Sequence, residues 1–316
     1  MTNWQYRKGL HDLGSGIYAY LQPDGSWGWS NAGLIVDGEA SMLVDTLFDL
    51  KLTAEMLAVM RDTTRAADRI DVLANTHANG DHCYGNELVG DAVIIASDAG
   101  AQEMEALPPD LMARFVANAD QLGRGGRFLA KIFGDFDFEG IRHTPPTETF
   151  RGERICRVGD KQVHLIEVGP AHTRGDVLVH VPEDRVVFTG DILFIEGTPI
   201  MWEGPVANWI RACERIVDMD AEAIVPGHGP ITDRRGVEAV KGYLEWIRDE
   251  ARARFEAGMS ARDAVRDISP GRYTSWSDAE RIAVNVSTLY REFGDRAPAP
   301  NPVELFELMA ELAGSD

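Results

Sequence analysis

Hydrophobic positions in the first half of this chain gather in short runs separated by glycine-rich turns. They are GIYAYL from Gly16, AGLIV from Ala32, ASMLVD from Ala40 and DVLANT from Asp71, with one helical stretch over residues 52–65. The pattern continues with AVIIAS from Ala92, helical segments over residues 99–117, and four further strand-like runs, QVHLIEV, VLVHV, RVVFTG and AIVPG. Two β-rich halves with helices between and outside them predict stacked sheets covered by helices on both faces.

From about residue 235 the period changes to that of a helix. Val240, Leu244, Ile247, Ala251 and Phe255 share one face, and Ile282, Val286, Leu289 and Phe293 share another behind Ser277 and Glu280, which have capping-box spacing. Asn301 and Pro302 read as cap and first position of a last helix carrying Leu305, Leu308, Met309 and Leu312. The chain therefore divides into an α/β domain over residues 1–234 and a helical extension over residues 235–316. The extension's apolar faces need a partner, either the sandwich, where it would close a cleft, or a second copy in a homodimer.

Composition narrows the classes. With 316 residues, 44% hydrophobic and 26% charged, the chain is long enough to bury a large core and ordinary for a soluble globular protein. A net charge of -20 without a basic patch argues against a nucleic-acid partner. No window is apolar enough to span a membrane and the N-terminal stretch lacks a signal-type apolar core, so a cytoplasmic location is expected. Cys83, Cys156 and Cys213 are too few and too scattered for a disulfide framework or a cysteine zinc site.

The chemistry begins at Thr76–Asn86, THANGDHCYGN, which carries His77, Asn79, Asp81 and His82. Three later fragments each place a polar residue just after a strand-like run: VGPAHTRGD with His172, VVFTGDILF with Asp191, and AIVPGHGP with His228. Strand ends are where loops gather into sites on a rigid sheet. Together these fragments offer four imidazoles and two carboxylates, the usual non-thiolate ligands of zinc-like ions. His11, His143, His164 and His180 lack such contexts, and His164 and His180 read as strand positions with satisfied hydrogen bonds.

The order and contexts of these four motifs resemble the metallo-β-lactamase superfamily, whose first motif is His-x-His-x-Asp-His. The resemblance covers most of residues 15–235 and implies a four-layer αβ/βα sandwich with metals at one edge. It also implies a first metal held by His77, the next histidine of the motif and His172, and a second held by Asp81, His82 and His228, with Asp191 bridging. This chain departs from the motif at Asn79, which replaces the second histidine. A neutral amide oxygen is a weaker donor than imidazole, so one zinc is expected to be held firmly at the second site and another weakly or not at all; iron or manganese also suit such ligands.

The activity implied is metal-assisted hydrolysis of a small ester, lactone or thioester carbonyl, with Asp81 orienting the attacking water and Trp29 and Trp202 lining the substrate pocket. Two other classes compete with it. One is an iron-dependent oxidoreductase of the same fold, and the other a noncatalytic metal-binding ligand sensor.

Overall fold

The computed structural model describes residues 4–298 and 300–315, so the first three residues of the N-terminal stretch lie outside it. Seven strands form one sheet: β1 (Gly9–Gly14), β2 (Ile17–Leu21), β3 (Ala32–Asp37), β4 (Ala40–Val44), β5 (Val72–Ala74), β6 (Val93–Ser97) and β7 (Glu148–Phe150), side by side in chain order. The first four are antiparallel, and β4 to β7 run parallel. A second sheet of five, ordered β12-β11-β10-β9-β8, is built from β8 (Glu153–Val158), β9 (Lys161–Glu167), β10 (Val177–Val181), β11 (Val186–Phe188) and β12 (Ala223–Val225). It is antiparallel except where β12 joins β11 in parallel.

Period-two alternation along the strands builds the layers. Ile35, Met42, Val44, Ala74 and Ile95 of the first sheet share one buried cluster with Val163, Val177, Val179, Val186 and Phe188 of the second, which is the seam between the sheets. Their neighbours Leu34, Leu43, Leu73 and Ile94, with Leu178, Val187 and Ile224, belong instead to the cluster that contains the helices. Those helices include α1 (Leu50–Thr63), capped by the Asp49 carboxylate, which accepts from the Leu52 amide. The fold is therefore two sheets face to face with helices outside, as expected.

Five more helices lie in the body. They are α2 (Gly80–Cys83), α3 (Asp98–Ala106), α4 (Pro109–Ala117), α5 (Gly123–Phe133) and α6 (Val206–Asp218). The helical segments expected over 99–117 are two helices, because the Pro108-Pro109 pair ends the first and Pro109 opens the second. The α5 segment, GRGGRFLAKIF, has no counterpart in the sequence expectation. Its glycines read as loop, yet a Cβ on Gly125 would stand 2.8 Å from the Val303 carbonyl oxygen, so a close helix crossing requires the bare backbone there.

The tail forms α7 (Arg234–Glu256), α8 (Ala261–Asp267), α9 (Ile282–Glu292) and α10 (Pro302–Leu312). Val237, Val240, Leu244 and Ile247 of α7 are buried in the same cluster as Trp209 and Ile216 of α6, so the tail shares the core of the body. Asn301 caps α10 as expected, and with Glu304 it closes a capping box. The one expected at Ser277 and Glu280 does not form: Glu280 instead accepts a hydrogen bond from the Trp27 indole at 2.9 Å, and α9 starts without a side-chain cap. No helix among the described residues is long and apolar enough to cross a membrane.

Candidate metal centre

Each motif residue stands just beyond the end of a strand, at one edge of the sandwich. The loop after β5 carries His77 and Asn79, α2 carries Asp81 and His82, the loop between β9 and β10 carries His172, and the turns after β11 and β12 carry Asp191 and His228. Backbone hydrogen bonds tie the two sheets together here: Val177 donates to the Thr76 carbonyl at 2.8 Å and Asn31 to that of Gly227 at 2.7 Å. Gly227 is required because a Cβ there would run into Asp191 Oδ1.

The structure brings together all six expected histidine and aspartate ligands, all buried, as two groups, His77–His172–Asp191 and Asp81–His82–His228. Within each group the ligand atoms lie within 4.8 Å of one another. Asp191 links the groups: its Oδ2 is 3.4 Å from both His172 Nε2 and His228 Nε2, and its Oδ1 is 3.1 Å from His82 Nε2. His228 Nε2 also stands 3.2 Å from Asp81 Oδ2.

The four imidazoles are oriented in one way. His172 Nδ1 donates to the Ile200 carbonyl at 2.6 Å and His228 Nδ1 to that of Gly25 at 3.0 Å. His82 Nδ1 donates to Asp45 Oδ2 at 2.9 Å. Thr76 Oγ1 gives its only proton to Asp45 Oδ2 at 2.7 Å, so it accepts from His77 Nδ1 at 3.0 Å. Every Nδ1 therefore faces outward to a protein partner and every Nε2 faces the centre. His77 Nε2, His82 Nε2 and Asp191 Oδ1 are buried without a hydrogen-bond partner. Buried polar atoms are rarely left so. Converging imidazole lone pairs and carboxylates, each imidazole braced from behind, are what a divalent cation requires.

Electrostatics agree with this fit. Burial lowers the pKa of His228, but Asp191 and Asp81 outweigh it and hold the imidazole up at about 9. Burial likewise lowers His82, and Asp191, Asp81 and Asp45 raise it well above the ordinary value. The carboxylates thus draw both imidazoles toward the protonated form, at the point where a cation's charge would serve. Burial, with His82 adding to it, holds His77 well below the ordinary value, so that ring is neutral.

Asn79 sits at the N-cap of α2, yet its side chain makes no cap hydrogen bond. Its Oδ1 instead lies 2.7 Å from His172 Nε2. Because His172 Nδ1 carries the ring proton and burial lowers the ring's pKa, Nε2 and the amide oxygen are both acceptors. A cation shared by the two atoms reconciles the contact, as does an amide turned to donate from its nitrogen.

In the sequence Asp45 is only the end of a strand-like run, and its signal is of the kind that marks Asp191: a carboxylate just after a strand, here β4. It is 2% exposed, has a left-handed φ of 61°, and accepts from the Thr76 amide and hydroxyl as well as from His82. A non-glycine residue in that conformation stores strain that its surroundings must hold. His164 and His180 lie outside the centre, as expected, but their hydrogen bonding differs: they face each other across β9 and β10, and His180 Nε2 is buried without a partner. A strand pair supplies backbone hydrogen bonds and nothing for a ring nitrogen aimed off the ladder.

A cavity of about 410 Å³ opens onto the centre, with Asn79, Asp81, His172, Asp191 and His228 among its lining residues. Trp202 lines it; Trp29 does not, and packs on Phe136 at 4.8 Å, while its neighbour Trp27 takes a place in the wall. Tyr273 and Trp276 pack instead with Tyr243 and Trp246.

Asp45 touches no inward-facing nitrogen except through the rings it orients, so its removal should act on metal binding alone. Asp45→Asn is expected to weaken zinc binding by about 10–100-fold in a competition titration while the chain stays folded. Unchanged affinity would show that His82 is held by packing and not by Asp45.

Comparison with known proteins places this geometry. A hydroxyacylglutathione hydrolase of Brucella ovis is 37% identical over 199 residues, covering 63% of this chain and 62% of the relative. An acyl-coenzyme A thioesterase of Gallus gallus is 22% identical over 231 residues, 68% of this chain and 78% of the relative. This chain thus spans about three fifths of the length of the Brucella protein. Among solved structures, a double mutant of the sec-alkyl sulfatase PisA1 superposes on 94% of this chain and 52% of its own with a TM-score of 0.68 at 14% identity, a likeness of fold. The model of the metallo-beta-lactamase superfamily matches residues 25–228, a span that holds every candidate ligand from His77 to His228, and the chain belongs to that superfamily.

Proposed function

We propose that this protein hydrolyses an ester, lactone or thioester carbonyl with zinc, and that the substrate carries an apolar portion. The observation that carries the reading is the convergence of four Nε2 atoms and two carboxylates at one point, from which Asp81, His172, Asp191 and His228 reach the lining of a cavity whose remaining walls are mainly apolar. The relatives named as a thioesterase and a hydroxyacylglutathione hydrolase agree with carbonyl hydrolysis. On this reading residues 1–234 supply every ligand, and residues 235–316 close the cavity, to which they contribute Arg281, Pro302, Val303 and Phe306.

Asp81, His82, His228 and Asp191 would hold the firmly bound ion; His77, His172 and the Asn79 oxygen, sharing Asp191, would hold a weaker one. Bound there, zinc would supply the chemistry of a Lewis acid, lowering the pKa of water toward about 7 and polarising a carbonyl. The protein's own groups do the rest. The Asp81 side chain is 12% exposed against 4% for Asp191, so Asp81 is the ligand carboxylate more open to the cavity and the one placed to orient the attacking water and take its proton. Asp45 and Thr76 fix the tautomers of His82 and His77, which keeps both Nε2 atoms free. Phe48, Leu129 and Phe133 line the cavity and keep bulk water from the carbonyl.

Assay of the purified protein on matched ester, thioester and lactone substrates tests the activity. At least one class is expected to be hydrolysed, the activity to vanish with a chelator and return with zinc, and Asp191→Ala to lower kcat/KM by about 100-fold or more. Hydrolysis that survives full metal removal would contradict the mechanism. The asymmetry has its own test: Asn79→His should strengthen the second of two zinc-binding events in a titration and leave the first in place. If both events stay unchanged, the amide oxygen already ligates as well as an imidazole would.

A further inference from the structure

The cavity has a direction. On α5 and at its N-cap the lining residues are Leu122, Gly125, Gly126, Leu129 and Phe133, a stripe at helical spacing that runs the whole length of the helix. At about 1.5 Å per residue the stripe is about 16 Å long. Its Phe133 end lies at the motif loops: the Phe133 ring meets that of Phe48 edge-on with centroids 5.3 Å apart, and a Cβ on Gly80, between Asn79 and Asp81, would stand 2.8 Å from the same Phe48 ring. The Leu122 end is therefore the far one.

Every lining residue on the helices around this track is apolar. To the stripe of α5, α4 adds Leu111, Met112 and Phe115, and α10 adds Pro302, Val303 and Phe306. The three from α4 are half-buried and Pro109 is the only buried residue of that helix, so its apolar face stays partly open beside the cavity. The two charged lining residues outside the metal centre are already engaged: Glu103 accepts from the Arg174 amide at 3.0 Å, and Arg281 pairs with Asp278 at 3.2 Å. Neither lies on α4, α5 or α10. Volume adds a width. The cavity's 410 Å³, spread along such a track, averages about 25 Å² in section, or about 5–6 Å across. With carbon atoms in contact at about 3.5–4.0 Å, that admits one hydrocarbon chain and leaves no room for a second beside it.

We propose that the apolar portion of the substrate is a single straight aliphatic chain of about ten to twelve carbons, lying along α5 from Phe133 toward Leu122 with the carbonyl at the metal centre. This rests on the reading of the cavity as the substrate site. An extended chain advances about 1.3 Å per C–C bond, so about twelve bonds match the stripe. A single aromatic ring would fill less than half of that length. The walls of α4 and α10 bury the chain on the sides that α5 leaves open, and burial of each methylene supplies the affinity.

Methyl ketones carry a carbonyl but no leaving group, so their binding separates this proposal from the hydrolysis reading. A series of alkan-2-ones of increasing length is titrated into the protein as purified, and binding is read from tryptophan fluorescence, since Trp27 and Trp202 line the cavity. Affinity should rise about threefold for each added methylene and stop rising between about ten and fourteen carbons. Leu122→Trp, at the far end of the track, should move that break to chains shorter by about two carbons or more. Affinity that does not grow with length, a break outside that range, tighter binding of phenyl ketones than of alkanones of equal carbon number, or no binding of any ketone overturns the proposal. So does a break that Leu122→Trp leaves in place; if that variant fails to fold, the wild-type series decides alone. The expected length series in a protein that hydrolyses no ester would strike only the earlier reading, and hydrolysis without the length series would strike only this one.

Discussion

Asp81 and Asp191 bring two carboxylates within about one ion's reach of four imidazoles at a point almost closed to solvent, and the rest of the site is arranged around the cost of that charge. Each ion taken from water costs several kcal/mol unless it is matched. The carboxylates draw protons toward His82 and His228, which match it in part; a divalent cation matches it better, because it also engages His77 Nε2, His82 Nε2 and Asp191 Oδ1, none of which makes a hydrogen bond. Proton and metal therefore compete for the same pair of imidazoles, and an ion that binds near neutral pH must release protons as it does.

Holding such a cluster needs a rigid frame. Strands β5, β11 and β12, which lead into the site, are buried on both faces, so their ends are fixed by two cores at once, and candidate ligands sit within a few residues of those ends. Asp45 extends this control to the ring tautomers by engaging His82 directly and His77 through Thr76. The cavity then depends on elements far from the ligands in sequence: α5 and α10 cross closely at Gly125, and Trp27 joins the N-terminal region to the tail through Glu280 and Arg281. On the proposed reading, chemistry comes from the sandwich and the helices that cover it shape the cavity.

The ligands were legible because each follows a strong strand signal and carries a side chain with few other uses beside glycine or proline. The two β-rich halves with helices between and outside them likewise announced stacked sheets covered by helices. What escaped the sequence has physical reasons. Strands β1, β7 and β8 are largely polar or exposed, so apolar periodicity is faint there. The GRGG start of α5 looks like loop until α10 packs on it. Glu280 and Ser277 had the spacing of a cap, but Trp27, more than 250 residues away in the chain, claimed the carboxylate. Arg281 was invisible among a helix's apolar positions because its burial is a tertiary fact. Asn79 showed its departure from the motif plainly, but only the folded chain shows that its oxygen turns from the helix cap toward His172.

The central claim is that the buried His/Asp cluster is a metal centre with unequal halves. Anomalous diffraction at the zinc edge, from crystals grown with limiting zinc, tests it most directly. The account predicts a strong peak bonded to Asp81, His82, His228 and Asp191, with ligand distances of about 2.0–2.2 Å, and a weaker peak against His77, His172 and the Asn79 oxygen. A crystal with no peak at these residues, or with its stronger peak on the Asn79 side, would contradict it.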